Sequence, residues 1–311
     1  MGKTLQSVVC TGVLAATLSV CAPLTASAQR IDDLGARAQG MAGAFVAVSN
    51  DATASWWNPA GLATALSFAD LTAEIDQHGG RAVAAGFPSL GVSYYHRNIS
   101  QIQRLNSTET TGSGRQDLGA AGSGLPATES VGVGQVGVTV GQSLGNHVVL
   151  GSTLKIEWAK SNTRADLDLG AMATFGLVRL GLLMRDVSEP EFGSGQDTVV
   201  LPRRARAGVA LLTPPKGRFD QVVVDVDADL NAVVVEGREE RDVVAGAEVW
   251  TLGRRIGVRG GVGTNTASGG GSFGAVGLSV APFPGVYVEG SLRRGEGGRR
   301  DRWGIDLRLA F

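Results

Sequence analysis

Near its end the chain alternates strictly. Trp303, Ile305, Leu307, Leu309 and Phe311 fall on one face of an extended segment, and Gly304, Asp306, Arg308 and Ala310 on the other. Successive side chains of a strand point to opposite faces, so a period of two predicts a strand. The same pattern sets Leu154, Ile156 and Trp158 against Lys155, Glu157 and Ala159. It sets Leu167 and Leu169 against Asp166 and Asp168, and Val222, Val224, Val226 and Ala228 against Asp225, Asp227 and Asp229. Fourteen strands are predicted, over 66–77, 79–87, 89–101, 129–144, 147–162, 165–176, 177–187, 200–213, 217–232, 238–251, 254–263, 270–282, 284–295 and 299–311.

Alternation alone fits a soluble sandwich, whose apolar face is its core, or a membrane barrel, whose apolar face meets lipid. The connections separate the two. Long ones follow strands 3, 7, 9 and 11, while those after even strands are mostly tight, at Pro88, Gly145-Asn146, Gly253-Arg254 and Phe283-Pro284. Short turns on one side and long loops on the other are what a barrel with both ends in the periplasm requires. The predicted fold class is therefore all-β, an antiparallel up-and-down transmembrane β-barrel of about 14 strands. A turn at Pro214-Pro215-Lys216 would set Arg206 opposite Asp225 and Arg204 opposite Asp227, as charge pairs on the lumen face. Trp303 and Phe311 mark the closing strand, which the barrel-assembly machinery is expected to read.

Composition adds a compartment. Lys3, the apolar stretch Val8–Val20 and the small residues Ala26-Ser27-Ala28 predict a cleavable signal peptide over 1–28. Cys10 and Cys21 both lie inside it, so the mature chain offers no disulfide, thiolate metal site or cysteine nucleophile. No later run is apolar enough for a spanning helix. With 28 basic and 29 acidic residues, no basic field argues for nucleic acid. The expected location is the bacterial outer membrane, with membrane lipid around the barrel. Glycine, at 46 residues, is unusually abundant, which suits tight turns and close backbone approach.

Residues 29–64 do not alternate and are read as a separate N-terminal plug, with the barrel over 65–311. Asp51 is placed to cap a short helix through Ala52–Ala54, and Pro59 to stop it by forcing Asn58 out of the helical region. The run Gly35-Ala36-Arg37, Gly40-Met41, Gly43-Ala44-Phe45, Asn50-Asp51 and Asn58-Pro59-Ala60-Gly61-Leu62 resembles the start of the FadL-like outer-membrane superfamily, and is most similar to its PorV/PorQ-type branch. The resemblance implies a 14-stranded barrel with a small plug inside its lumen. It implies transport of a small, possibly hydrophobic, compound, or else a PorV-like accessory barrel that docks secreted cargo proteins for a type IX-like secretion system. The loop 102–128 is rich in Gln, Ser, Thr and Gly and offers little apolar surface to catch a fatty acid.

Motifs for chemistry do not survive their context. Gly132–Gly137 matches a dinucleotide fingerprint but lies within a predicted strand with no helix after it. Gly141–Gly145 matches a nucleophile elbow but runs into another strand at His147. His78, His96 and His147 have no ligand spacing, so neither a metal nor a cofactor is expected. The row Asp225, Asp227 and Asp229 lacks the glycine turn of a calcium loop. Trp56 and Trp57 are read as packing residues, and no enzymatic activity is expected.

Overall fold

The computed structural model describes residues 34–65, 67–77, 79–101, 129–193, 199–235, 238–267, 270–298 and 300–311. The predicted signal peptide and the loop 102–128 lie outside these residues. Fourteen antiparallel strands close into a barrel. They are β1 (Asp70–Asp76), β2 (Arg81–Phe87), β3 (Leu90–Gln101), β4 (Glu129–Leu144), β5 (Val148–Ala159), β6 (Asn162–Phe175), β7 (Val178–Arg185), β8 (Arg204–Leu212), β9 (Phe219–Asp229), β10 (Asp242–Thr251), β11 (Ile256–Asn265), β12 (Ser272–Phe283), β13 (Val286–Gly295) and β14 (Arg302–Ala310). Each pairs with its neighbours in sequence, and β1 closes on β14 with Asp70 opposite Ala310 and Asp76 opposite Gly304. Two short ladders, Glu191–Phe192 with Val199–Val200 and Val233–Val235 with Arg238–Glu240, stand in the connections after β7 and β9.

Burial is inverted relative to a soluble protein. On β5, Leu154 and Ile156 are 61% and 52% exposed while Lys155 and Glu157 between them are almost wholly buried. On β1, Leu71 and Ile75 face out while Asp70, Glu74 and Asp76 face in. Leaving each large apolar side chain in water would forgo roughly 1.5–3 kcal/mol; against lipid that penalty vanishes. Closure supplies the other requirement, since it leaves no unpaired strand edge in hydrocarbon. Six of the nine phenylalanines, Phe68, Phe87, Phe175, Phe219, Phe283 and Phe311, ring the end of the barrel where the tight turns lie, all facing out. Trp158 and Trp303 face out toward the opposite end. From Trp303 to Phe311 the strand climbs about 27 Å, or about 21 Å along the barrel axis at a tilt near 40°. That is close to the apolar band of a transmembrane barrel, and the two girdles mark its edges.

The expected charge pairing between β8 and β9 is incorrect. Arg206 lies opposite Asp229, and Gly208 opposite Asp227. Arg204 lies opposite Arg185 of β7 and extends beyond the paired stretch of β9. The cause is the turn. Pro214 and Pro215 extend the strand arm instead of reversing it, and the tip is Gly217-Arg218, flanked by mutual Lys216–Phe219 hydrogen bonds of 2.9 and 3.1 Å. Gly217 takes φ of +64°, which a residue with a Cβ adopts only with strain. Moving the tip by two residues shifts each partner by four, so the polar face is kept and the pairs change.

Residues 34–65 fill the interior. They form a short helix α1 (Ala36–Gly40), a single turn α2 (Ala54–Trp57) and a 3-10 turn over Pro59–Thr64, joined by turns and buried almost throughout. α2 begins two residues later than the sequence suggests. The Asp51 Oδ1 atom accepts the Thr53 amide at 3.0 Å, and Asn58 is extended ahead of Pro59, with φ −165°. An inward row of strand glycines makes room. A Cβ at Gly246 or Gly261 would strike Met41, one at Gly151 or Gly170 would strike the Asn58–Ala60 stretch, and one at Gly181 would strike Val46 and Ala47. Glycine lets the two backbones touch where any side chain would hold them apart.

Candidate functional site in the filled lumen

The wall and the segment are joined by carboxylates. Glu74 accepts the Gly35 amide at 2.8 Å, Asp306 the Ala36 amide at 2.6 Å, and Asp70 the Ala52 amide at 3.2 Å. One oxygen of Asp227 accepts both the Phe45 and Val46 amides, at 2.8 and 2.9 Å. A short segment with little regular structure leaves many amides unpaired, and in a confined lumen they must find acceptors. Each such hydrogen bond contributes about 0.5–1.5 kcal/mol where the acceptor is neutral and about 1.5–3 kcal/mol where it is charged.

Arg37 is the central fastening. Its Nε and Nη2 atoms hold the two oxygens of Glu248 on β10, both at 2.8 Å, and its Nη1 holds Asp51 at 2.9 Å and Asn50 at 2.7 Å. Glu248 also takes Arg259 of β11 at 2.6 Å, and Arg259 reaches Glu289 of β13 at 3.3 Å. One chain of ion pairs thus runs from the segment across three strands. Burial alone would push the Asp51 carboxyl up, but Arg37 and Arg308, with the Thr53 hydroxyl, outweigh it and hold Asp51 below the usual carboxylate range.

The other residues singled out in the sequence lie along the same segment. Gly35 has φ +82° ahead of α1, and Gly40 packs on the backbone of Gly277. Met41 is wholly buried against β10 and β11. Gly43, at φ +83°, offers its carbonyl to Arg206 at 3.3 Å, and Phe45 packs edge-on against Trp57. Asn58 donates to the Val46 carbonyl at 2.9 Å and lies near the carbonyls of Ala171 and Leu182, at 3.2 and 3.3 Å. Its own carbonyl accepts the Ala60 amide at 3.2 Å. Pro59 and Ala60 press on Gly151 and Gly170, and Gly61 lies against the Ser49 carbonyl with no space for a side chain. Trp303 and Phe311 are apart from all of these, on the outer face.

Several lumen residues gave no specific signal in the sequence beyond their place on a polar face. Lys155 is buried among Glu157, Asp166, Asp168 and Asp186, with distances of 3.3, 2.8, 2.8 and 2.5 Å. Glu157, Asp166 and Asp186 approach one another closely enough to ligate an ion, but the Lys155 ammonium supplies the counter-charge among them. Nearby, Trp56 is sandwiched between the guanidinium groups of Arg97 and Arg185, at 3.8 and 3.6 Å from the ring centre. The enclosed cavity beside it measures about 10 Å³, room for one water molecule. Phe192 and Leu201, from the connection after β7, pack with Val133 and Ala159 over this end.

A closed, lipid-facing 14-stranded barrel with a charged and filled lumen defines the class, an outer-membrane β-barrel. No protein-family model matches the sequence, and no curated protein matches it. Solved structures do. The "CymD monoaromatic hydrocarbon channel" superposes with a TM-score of 0.66 at 13% identity, covering 91% of this chain and 99% of that one. The P. putida toluene transporter TodX gives 0.58 at 10% identity, covering 91% and 99%. A Pseudomonas aeruginosa FadL homologue gives 0.57 at 10% identity, covering 92% and 100%. Within its class, this chain has the FadL-like fold.

Proposed function

We propose that the mature chain is an outer-membrane channel for small hydrophobic compounds, with residues 34–65 as its plug. The observation that carries this reading is the segment itself, held inside a barrel of the FadL-like fold by hydrogen bonds and ion pairs and not by a covalent link. Proteins of the same fold include a monoaromatic hydrocarbon channel and toluene transporters. Their likeness supports transport as the role and small apolar molecules as the cargo. Removal of residues 1–28 during export, lipid around the wall and recognition of Phe311 by the barrel-assembly machinery complete the proposal. In the form described, Trp56 and its two arginines obstruct one end, so passage requires the segment to move. No specific observation favours the cargo-docking alternative, or the PorV/PorQ-type branch over others.

The test is uptake of radiolabelled toluene into cells expressing the full chain, compared with cells expressing a variant truncated through Ala65 behind its signal peptide. Uptake above that of barrel-free cells, altered by the truncation, is the expected result. Uptake equal to barrel-free cells in both, with the barrel present in the outer membrane, would overturn the proposal.

A further inference from the structure

The tight-turn end of the barrel carries its charged turns in one sector. The turns 87–90, 144–148, 175–178 and 283–286 contain no lysine, arginine, aspartate or glutamate. The two that differ are neighbours in space, 212–219 between β8 and β9 and 251–256 between β10 and β11, and they bring Lys216, Arg218, Arg254 and Arg255 to one stretch of rim. β9 pairs with β10 so that Phe219 lies opposite Thr251, and the Thr251 hydroxyl donates to the Arg218 carbonyl at 2.7 Å. The Arg254 amide donates to Asp220 at 2.8 Å, which ties the second turn to the first. The Arg255 carbonyl accepts the Ala281 amide of β12, also at 2.8 Å. Gly217, left-handed at its tip, sets Lys216 and Arg218 on either side of the reversal.

Across 212–220 and 251–256 one acid, Asp220, stands against four cations. Lys216, Arg218 and Arg255 are exposed, and none of them forms a salt bridge among the described residues. Arg254 is half-buried, stacks over Trp250 and donates to Gln221 at 3.0 Å, a neutral partner. At the opposite rim Arg203, Arg294 and Arg300 each have a carboxylate, on Glu189, Asp301 and Asp242. The apolar neighbours fix the depth of the exposed cations. Phe219 follows Arg218, Leu252 comes three residues before Arg255, and Phe283 ends the adjoining β12; all three are exposed at the edge of the lipid-facing band. Cations one to three residues beyond that edge stand at the level of the lipid head groups, where their apolar stems lie along the band and their charged tips meet the phosphates.

We propose that this sector of the tight-turn rim docks an anionic phospholipid, its phosphate held by Lys216, Arg218 and Arg255 and its acyl chains lying against Phe219, Leu252 and Phe283. A guanidinium fork matches phosphate oxygens in pairs, and the lysine adds a point charge. Clustered cations beside a membrane edge, without acids to neutralise them, attract acidic lipids, each cation strengthening binding roughly fivefold. The occupant is a lipid because lipid already surrounds the wall at this level; a protein would have to displace head groups from the same cations. The other turns at this end offer no charge, so the anionic lipid takes one side of the barrel. The inference goes beyond the transport reading and holds whatever the barrel carries.

The probe is dioleoylphosphatidylglycerol, titrated onto the full chain in detergent micelles and read by native mass spectrometry, with dioleoylphosphatidylcholine as the neutral comparison. The wild type should bind the anionic lipid at least about tenfold more tightly than the neutral one, with a preference that shrinks as salt is added. The triple variant Lys216→Gln, Arg218→Gln, Arg255→Gln should lose that preference, whereas Arg218→Lys with Arg255→Lys should keep most of it. Neutralising the opposite rim with Arg203→Gln, Arg241→Gln and Arg294→Gln removes the same charge and should leave binding at the wild-type level. In vesicles, a photoactivatable phosphatidylglycerol should label 212–219 and 251–256 ahead of 87–90 and 144–148. Equal wild-type affinity for the two lipids, an undiminished preference in the first triple variant, an equal loss in the opposite-rim variant, or labelling spread evenly round the rim would overturn the docking site. Heat-dependent gel migration establishes that each barrel is folded.

Discussion

Arg37→Ala removes the side chain that ties the segment to the wall most directly. Four hydrogen bonds disappear, two to Glu248 and one each to Asp51 and Asn50. Breaking a buried ion pair by deleting one partner costs about 3–5 kcal/mol, because the other charge is stranded. Here the lower figure applies. Glu248 keeps Arg259 at 2.6 Å, and Asp51 keeps the Thr53 hydroxyl at 2.5 Å, so neither carboxylate is left alone. About 3 kcal/mol is roughly a 150-fold increase in the population with the segment displaced. The barrel does not share this loss, since its ladders do not involve Arg37. The expected phenotype is thus a normally assembled barrel with increased solute leak, measured by liposome swelling and by conductance in planar bilayers. Glu248→Gln leaves Arg37 with Asp51 and Arg259 with Glu289 as their remaining carboxylates, and should also leak. The double variant should fall short of the sum of the two, because both changes remove the same contact. A folded Arg37→Ala barrel with wild-type conductance and wild-type amide protection in the segment would refute the view that Arg37 fastens it.

Gly151→Val places a Cβ against the backbone of Pro59 and Ala60, where no side-chain rotation gives relief. It should displace the segment at a cost of about 1–3 kcal/mol, seen as greater protease access to residues 58–61, while strand content is unchanged by circular dichroism. Deleting Phe311 removes one outward phenylalanine of the girdle and the backbone carbonyl that accepts the Phe68 amide at 2.7 Å. Membrane fractionation should show less inserted barrel. Equal insertion would remove Phe311 from any part in assembly. Asp51 is held below its ordinary value near 3.8, so its contribution is complete above that value and lost as pH falls through the depressed one. Acid should therefore loosen the segment near Asn50–Thr53 in hydrogen exchange, and Asp51→Asn should abolish that dependence.

Period-two alternation determined the strands, their number and which side of each meets lipid, because a residue's face is fixed by local backbone geometry. Trp303 to Phe311 and Leu154 to Ala159 could be assigned with no knowledge of their neighbours. Loop lengths added the up-and-down order, since a closed antiparallel barrel needs tight turns on one side only. Register was beyond reach. It depended on whether Pro214-Pro215 or Gly217-Arg218 reverses the chain, a competition that either dipeptide could win on local grounds. The two-residue displacement moved Arg206 from Asp225 to Asp229. The partners of the N-terminal residues were equally hidden. Arg37 and Glu248 are separated by more than two hundred residues, and only barrel closure brings them within 2.8 Å. The abundance of glycine was visible from the start, but its meaning required the fold, because the backbone that Gly151 and Gly170 accommodate belongs to a segment some ninety or more residues earlier in the chain.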